Sequence, residues 1–233
     1  MQAKKIEAIV TDIEGTTSAL TFVKDVLFPY ASARLADYVV QNAAKPDVRA
    51  VLEEVRSIEM NPDLSNDDCV KILLDWAAQD KKIKPLKTLQ GMIWKKGFDE
   101  GAFKGHIYED AVLKLKEWHA SGTRLYIYSS GSVAAQKLLF GHTDYGDLTP
   151  LFSGYYDTAI GAKVESESYK KIATELGKQA ANILFLSDHV GELDAARAAG
   201  FSTVMLDRDN AANDQAKHKR VTDFNAIILA EVA

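Results

Sequence analysis

The sequence predicts an α/β protein, a parallel β-sheet flanked by helices and interrupted directly after its first strand by an all-helical insertion. Three observations carry that prediction. Short β-branched runs each stop at a polar loop; amphipathic stretches alternate with those runs over the second half of the chain; and a long intervening segment has helical periodicity with no strand-like run.

The first run, residues 6–11, ends at Asp12 and Gly15. An apolar run bounded by turn residues reads as a buried strand, so its polar ending lies at a strand's carboxyl end. Residues from about 22 to 103 follow a different rule. Segments 48–58, 67–78 and 86–96 each carry an apolar stripe, and Pro46, Pro62 and Pro85 mark the gaps. Gly97, Gly101 and Gly105 gather near the exit of this region and Gly15 precedes its entry, as turns or as hinges. With its flanks the helical cap is expected to span 18–119, leaving 1–17 and 120–233 as a discontinuous core. The strand grammar then returns. Residues 124–128 end at Ser129-Ser130-Gly131, 182–186 at Ser187-Asp188, and 203–206 at Asp207. Between them, 133–140, 166–176 and 192–199 show apolar residues at three- and four-residue spacing. Strand and helix alternate, which gives a parallel sheet, and such sheets bind ligands beyond the carboxyl ends of their strands.

Composition narrows the function classes. A chain of 233 residues, 47% hydrophobic and 26% charged, can bury a substantial core. Its net charge of -5, with lysines and acids interleaved, offers no basic face to nucleic acid or an anionic membrane. Cys69, the single cysteine, has no partner for an internal disulfide, and no stretch has the form of a secretion signal, so a reducing cytoplasm is expected. No apolar run approaches the roughly 20 residues of a membrane-spanning helix. There is no internal repeat and no low-complexity tract.

The polar strand endings hold the chemistry. In Asp12-Ile13-Glu14-Gly15-Thr16-Thr17, one carboxylate can attack phosphorus while its neighbour handles the leaving-group proton. Phosphoryl transfer also needs the charge on the phosphate oxygens neutralised. Ser129 or Ser130, before Gly131 and a helix start, can donate a hydroxyl and amides to an anion. Lys163, before the helix opened by Ser166, can add a point charge, and Asp188 can coordinate a hard cation. Taken singly, each also reads as an acidic turn, a serine-glycine loop, a solvated lysine or an Asp capping a helix.

In their order along the chain, these residues resemble the four motifs of the haloacid dehalogenase superfamily, carried on a Rossmann-like α/β core. The resemblance implies Asp12 as nucleophile, Glu14 as general acid/base, Ser129 as phosphate-binding hydroxyl with Ser130 beside it, and Lys163 as the cation. It implies Asp188 as acidic metal ligand and Glu192 at the position of the motif's second acid. One magnesium ion per subunit is implied, held by Asp12, the Glu14 position and Asp188, with water and phosphate completing its shell. A helical insertion after the first motif is similar to that superfamily's smaller-cap class.

Glu14 is a departure, since the superfamily's phosphatases usually carry Asp there. Thr11-Asp-Ile-Glu-Gly-Thr-Thr17, residues 125–142, 185–194 and Gly105-His-Ile-Tyr-Glu-Asp110 resemble the enolase-phosphatases (acireductone synthases) of methionine salvage, over nearly the whole chain. That family enolises 2,3-diketo-5-methylthiopentyl-1-phosphate and hydrolyses the phosphate to give 1,2-dihydroxy-3-keto-5-methylthiopentene. The resemblance implies a monomer whose partner is this small molecule. His106 is a candidate base or substrate contact, or simply a surface histidine. Phe22, Phe28, Trp76, Met92, Trp94 and Phe98 are candidates for an apolar wall against the methylthio end, or for core. The competing expectations are a phosphatase for another small ester such as phosphoglycolate, a dehalogenase, which has no need of the acid at Glu14, and a catalytically silent binding module. The first expectation requires positions 12, 129, 163 and 188 to converge around one ion and one phosphate.

Overall fold

The computed structural model describes residues 5–210 and 218–232. Its sheet has six parallel strands: β1 (Ala8–Thr11), β2 (Arg124–Tyr128), β3 (Phe152–Tyr156), β4 (Ile183–Ser187), β5 (Ser202–Leu206) and β6 (Lys219–Val221), in the order β3-β2-β1-β4-β5-β6. The chain builds outward from β1 in one direction and then returns to β1's other side at β4. The strand order therefore reverses at β1/β4, and sheets of this kind offer their ligand crevice at that reversal.

Register decides which residues meet there. Thr11 pairs with Ile127 on one side and Leu186 on the other, so the next residues, Asp12, Tyr128 and Ser187, are level. Ser129 and Asp188 come one step later. Neighbouring strands are about 4.8 Å apart, so these endings are lateral neighbours despite their distance in sequence.

β1 and β4 are buried throughout, as central parallel strands must be. One face of the sheet, with Ala8, Val10, Tyr126, Tyr128 and Phe185, shares a core with Tyr169 and Ile172 of α7 (Ser166–Leu176) and Leu193 of α8 (Val190–Ala198). The sequence did not point to β3 or β6. β3 is Phe-Ser-Gly-Tyr-Tyr and β6 is Lys-Arg-Val; both are edge strands, which need not carry a continuous apolar run.

The helical insertion comprises α1 (Phe28–Asn42), α2 (Pro46–Ile58), α3 (Asn66–Ala78) and α4 (Lys84–Asp99), preceded by a π-helical stretch at Phe22–Leu27. A proline stands in the first turn of α1, α2 and α4, where its missing N–H costs nothing, and Ser65 with Asp68 forms a reciprocal cap on α3. Leu35, Val39, Val51, Leu52, Cys69, Leu73, Trp76, Leu89 and Ile93 make a core of the insertion's own.

The chain divides into one unit running up to Leu20 and again from Gly105, and another at Thr21–Lys104. That differs from the expected cap of 18–119, chiefly because α5 (Glu109–Ala120) groups with the sheet. Its apolar stripe, Ala111, Val112, Leu115 and Trp118, is buried, and the Trp118 ring lies 5.7 Å from that of Phe224. A stripe announces that a helix packs, but not on what. Among the described residues, no helix is long and apolar enough to cross a membrane.

Candidate active site

Asp12 continues the ladder one residue past β1, its N–H donating to the Leu186 carbonyl at 2.9 Å. The chain then coils around a single acceptor. The Ile13 carbonyl receives the N–H groups of Thr16, Thr17 and Ser18 at 3.2, 3.0 and 2.8 Å, and the Thr17 hydroxyl bonds back to the Asp12 carbonyl at 3.2 Å. Gly15 has φ +74°, and a Cβ there would lie 2.0 Å from Oδ2 of Asp188. Only glycine permits both the left-handed turn and that close approach. The Asp188 N–H in turn donates to Thr16 Oγ1 at 3.0 Å, so the loop after β1 and the end of β4 are stitched together.

Lys163 lies outside any helix or strand, yet its side chain is only 7% exposed. Tyr169 donates its hydroxyl to the Lys163 carbonyl at 2.7 Å, Ser168 to Ala162 at 2.7 Å, and Tyr128 to Gly161 at 3.0 Å. Three side chains thus hold the lysine loop by its carbonyls. Nζ of Lys163 bonds Oδ1 of Asp12 at 2.6 Å and lies 2.8 Å from Oε2 of Glu192. That same Glu192 oxygen accepts from Ser187 Oγ at 2.9 Å, and Ser187 Oγ accepts the N–H of His189 at 3.0 Å.

The electrostatics follow from burial. Desolvation works against the Lys163 charge, but the carboxylates of Asp12 and Glu192 outweigh it and hold the ammonium above the ordinary lysine range. Burial, and then the charge on Asp12, push Asp188 up to about 6. The same two causes raise Glu192, opposed by Lys163. Acids outnumber the single lysine here.

Ser129 is buried at the end of β2, its N–H donating to the Tyr156 carbonyl at 3.1 Å and its hydroxyl accepting from Gly131 N–H at 3.3 Å. Gln136 of α6 (Val133–Gly141) braces this loop, Nε2 donating to the Gly131 carbonyl at 2.7 Å and to the Tyr156 carbonyl at 2.9 Å. Ser130 is exposed.

Asp12 and Lys163 are therefore in direct contact, with Glu192 on the same ammonium; Asp188 is joined through Thr16, and Ser129 is adjacent by register. Among the described residues, no group of three or more His, Cys, Asp or Glu side chains that could hold a metal ion is found. The turn on the Ile13 carbonyl takes Glu14 out of the strand and into a bridge with Ser18. His106 is half-buried rather than a surface histidine; its Nδ1 accepts the Ala19 N–H at 3.1 Å, and burial, then Arg208, hold it below the ordinary histidine range.

The haloacid dehalogenase-like hydrolase family model matches residues 6–200. Enolase-phosphatase E1 of Methylococcus capsulatus is 52% identical over 222 residues, covering 95% of this chain and 97% of its own. Enolase-phosphatase E1 of Pseudomonas aeruginosa is 53% identical over 224 residues, covering 96% and 99%. The chain belongs to the enolase-phosphatase E1 family of haloacid dehalogenase-like hydrolases. Among solved structures, the UTR4 protein of Saccharomyces cerevisiae superposes on this enolase-phosphatase family member with a TM-score of 0.82 at 33% identity, covering 96% of this chain and all of that one. A dehalogenase at 16% identity and a TM-score of 0.56 shares the fold.

Sequence reasoning gave no role to several enolase-phosphatase residues that hold the site: Thr16, Tyr128 and Gln136, which lie inside the motif segments, and Tyr169, which lies outside them. The available signal was a polar group at a position the strand and helix patterns mark as buried, since such a group needs a partner.

Proposed function

We infer that this chain enolises 2,3-diketo-5-methylthiopentyl-1-phosphate and then removes its phosphate, giving 1,2-dihydroxy-3-keto-5-methylthiopentene, as a magnesium-dependent cytoplasmic monomer. The observation that carries the reading is the buried 2.6 Å contact between Lys163 and Asp12 at the strand-order reversal. Lys163 fixes the rotation of the Asp12 carboxylate and balances charge on the phosphate it attacks.

In the phosphatase step an Asp12 oxygen bonds phosphorus as the ester P–O bond breaks. The electron pair leaves on the enol oxygen, which Glu14 protonates. Water then attacks the aspartyl phosphate, Glu14 taking its proton, and inorganic phosphate departs. Ser129, with the amides that follow it, holds the phosphate oxygens. In the enolase step Glu14, whose longer reach supports the assignment, takes a proton from the carbon bearing the ester; the C–H electron pair forms the C=C bond and the adjacent carbonyl oxygen, gaining a proton from solvent, becomes the enol hydroxyl.

The residues fit a hard cation. Asp12 is buried and Asp188 half-buried, their mutual repulsion helps push Asp188 up to about 6, and the donors are all oxygen, as magnesium prefers. Asp12 and Asp188, with the Glu14 position, would hold the ion. When bound, it supplies charge neutralisation for the phosphoryl group and the developing enolate.

Incubating the chain with the diketone phosphate, with and without magnesium, tests substrate, reaction and cofactor together. Enol absorbance followed by stoichiometric phosphate release is expected, and Asp12→Asn should release no phosphate while still binding substrate. Faster turnover of phosphoglycolate than of the diketone would favour the other reading.

A further inference from the structure

Arg208 lies two residues past the end of β5 and belongs to none of the motifs. Its side chain is largely buried, 12% exposed, and makes three hydrogen bonds. Nη1 and Nη2 donate to Oδ1 and Oδ2 of Asp110, each at 3.1 Å, and Nε donates to the Thr16 carbonyl at 2.8 Å. The guanidinium also lies 3.7 Å from the centre of the Tyr108 ring. Asp110 is itself fixed, sitting in the first turn of α5 with Oδ2 accepting the Phe224 N–H at 2.8 Å. A guanidinium forked onto a carboxylate and stacked on an aromatic ring has little freedom left.

What it holds is the residue at which the two acid-bearing strand ends meet. Thr16 is fully buried. Its N–H bonds the Ile13 carbonyl next to Asp12, its hydroxyl receives the Asp188 N–H, and its carbonyl receives Arg208. A shift of Thr16 would therefore move the Asp12 loop and Asp188 relative to each other. The Arg208 charge is paired with Asp110 and is felt at His106, whereas its contact with the loop that joins Asp12 and Asp188 is a hydrogen bond to a main-chain carbonyl and acts on geometry.

We propose that Arg208, anchored by Asp110, is a positioning residue that sets the separation of Asp12 and Asp188 through the Thr16 carbonyl. This rests on the reading of Asp12 and Asp188 as the magnesium-holding pair of a phosphatase. Residues that orient ligands from behind cost about 10- to 100-fold in metal affinity or activity when removed.

The test measures magnesium binding to the metal-free full-length chain by calorimetry, and kcat and KM on an aryl phosphate, for the unmodified chain, Arg208→Met and Arg208→Lys. Arg208→Met is expected to bind magnesium about tenfold more weakly and lose at least about tenfold in kcat, with KM within about threefold. Arg208→Lys, which can still donate once to Thr16, should recover part of both. A residue that only stabilises the fold would lower Tm and leave magnesium affinity and kcat alone; that result overturns the proposal. Should Arg208→Met fail to fold, Asp110→Asn, which removes the anchor and keeps the arginine, decides on the same readouts. An unmodified chain that binds magnesium but hydrolyses nothing would remove the phosphatase reading, and calorimetry would still decide the role of Arg208.

Discussion

Replacing Lys163 by Met keeps the unbranched side chain to within one atom of its length and removes its charge. The structure sets the size of the consequence. Lys163 is the cation shared by Asp12 at 2.6 Å and Glu192 at 2.8 Å, and all three side chains are largely buried. Deleting one partner of a buried ion pair and leaving the other charged costs about 3–5 kcal/mol. In a chain of this length each kcal/mol moves Tm by about 2–4 °C, so a fall of roughly 10 °C is expected at neutral pH. The pH dependence has a definite sign. Glu192 is already raised above its ordinary 4.5 by burial and by Asp12, with Lys163 opposing; without the lysine it rises further. A carboxyl whose pKa is raised in the folded state contributes stability below its unfolded pKa and loses it as pH rises through the folded one. The deficit of the variant should therefore shrink as the pH falls from neutrality toward the ordinary glutamate range. In the unmodified chain Lys163 is raised above 10.5, so its contribution is complete below that pH and is lost only as pH rises through the folded value. Phosphate release should drop by about two to three orders of magnitude. Thermal unfolding followed by circular dichroism across pH, with phosphate release measured alongside, checks this. A variant melting within about 2 °C of the unmodified chain and turning over at a comparable rate would refute the assignment of Lys163 as the balancing charge.

Gly15→Ala places a methyl where Oδ2 of Asp188 now lies, at 2.0 Å, and in a left-handed conformation; the backbone strain alone costs about 1–2 kcal/mol, and calorimetric magnesium affinity should fall by at least about tenfold. In the metal-free chain Asp188 titrates at about 6 against an ordinary 3.8, so it stabilises at low pH and that contribution is lost as pH rises through 6. Magnesium should therefore raise Tm more at pH 7.5 than at pH 5, its affinity dropping about tenfold per pH unit below 6 as the proton competes; equal shifts at both pH values would contradict it. Glu14→Asp shortens the proposed acid/base by one methylene and should slow enol formation more than hydrolysis of an aryl phosphate, and equal losses in the two assays would remove Glu14 from the enolisation step.

The strand endings were legible because strand and helix periods are local properties of the chain. The runs ending at Asp12, Ser129 and Asp188 are buried strands in the structure, and the helical stretches of the insertion are helices a residue or more longer than their stripes. β3 and β6 were not legible, since an edge strand needs neither a continuous apolar run nor strict alternation. Helix α5 illustrates a different limit. The sequence reading placed its residues with the cap, whereas its grouping with the sheet depended on a partner, Phe224, more than a hundred residues away in sequence.

By itself the sequence determined the class of fold, the order of the acid, serine, lysine and acid loops, and the family those loops mark. Those follow from side-chain type and spacing along one strand or one helix. Only the tertiary structure decided which groups touch. The Lys163 bond to Asp12 spans 151 positions and the Arg208 bond to Thr16 spans 192, and both exist because parallel register and strand order bring separate loops to one edge of the sheet. The backbone turn at Glu14 was decided in the same way, by the Ile13 carbonyl collecting the N–H groups of Thr16, Thr17 and Ser18. Spacing along a chain sets what a segment becomes; the company its polar atoms keep is set by segments whose arrival no local pattern encodes.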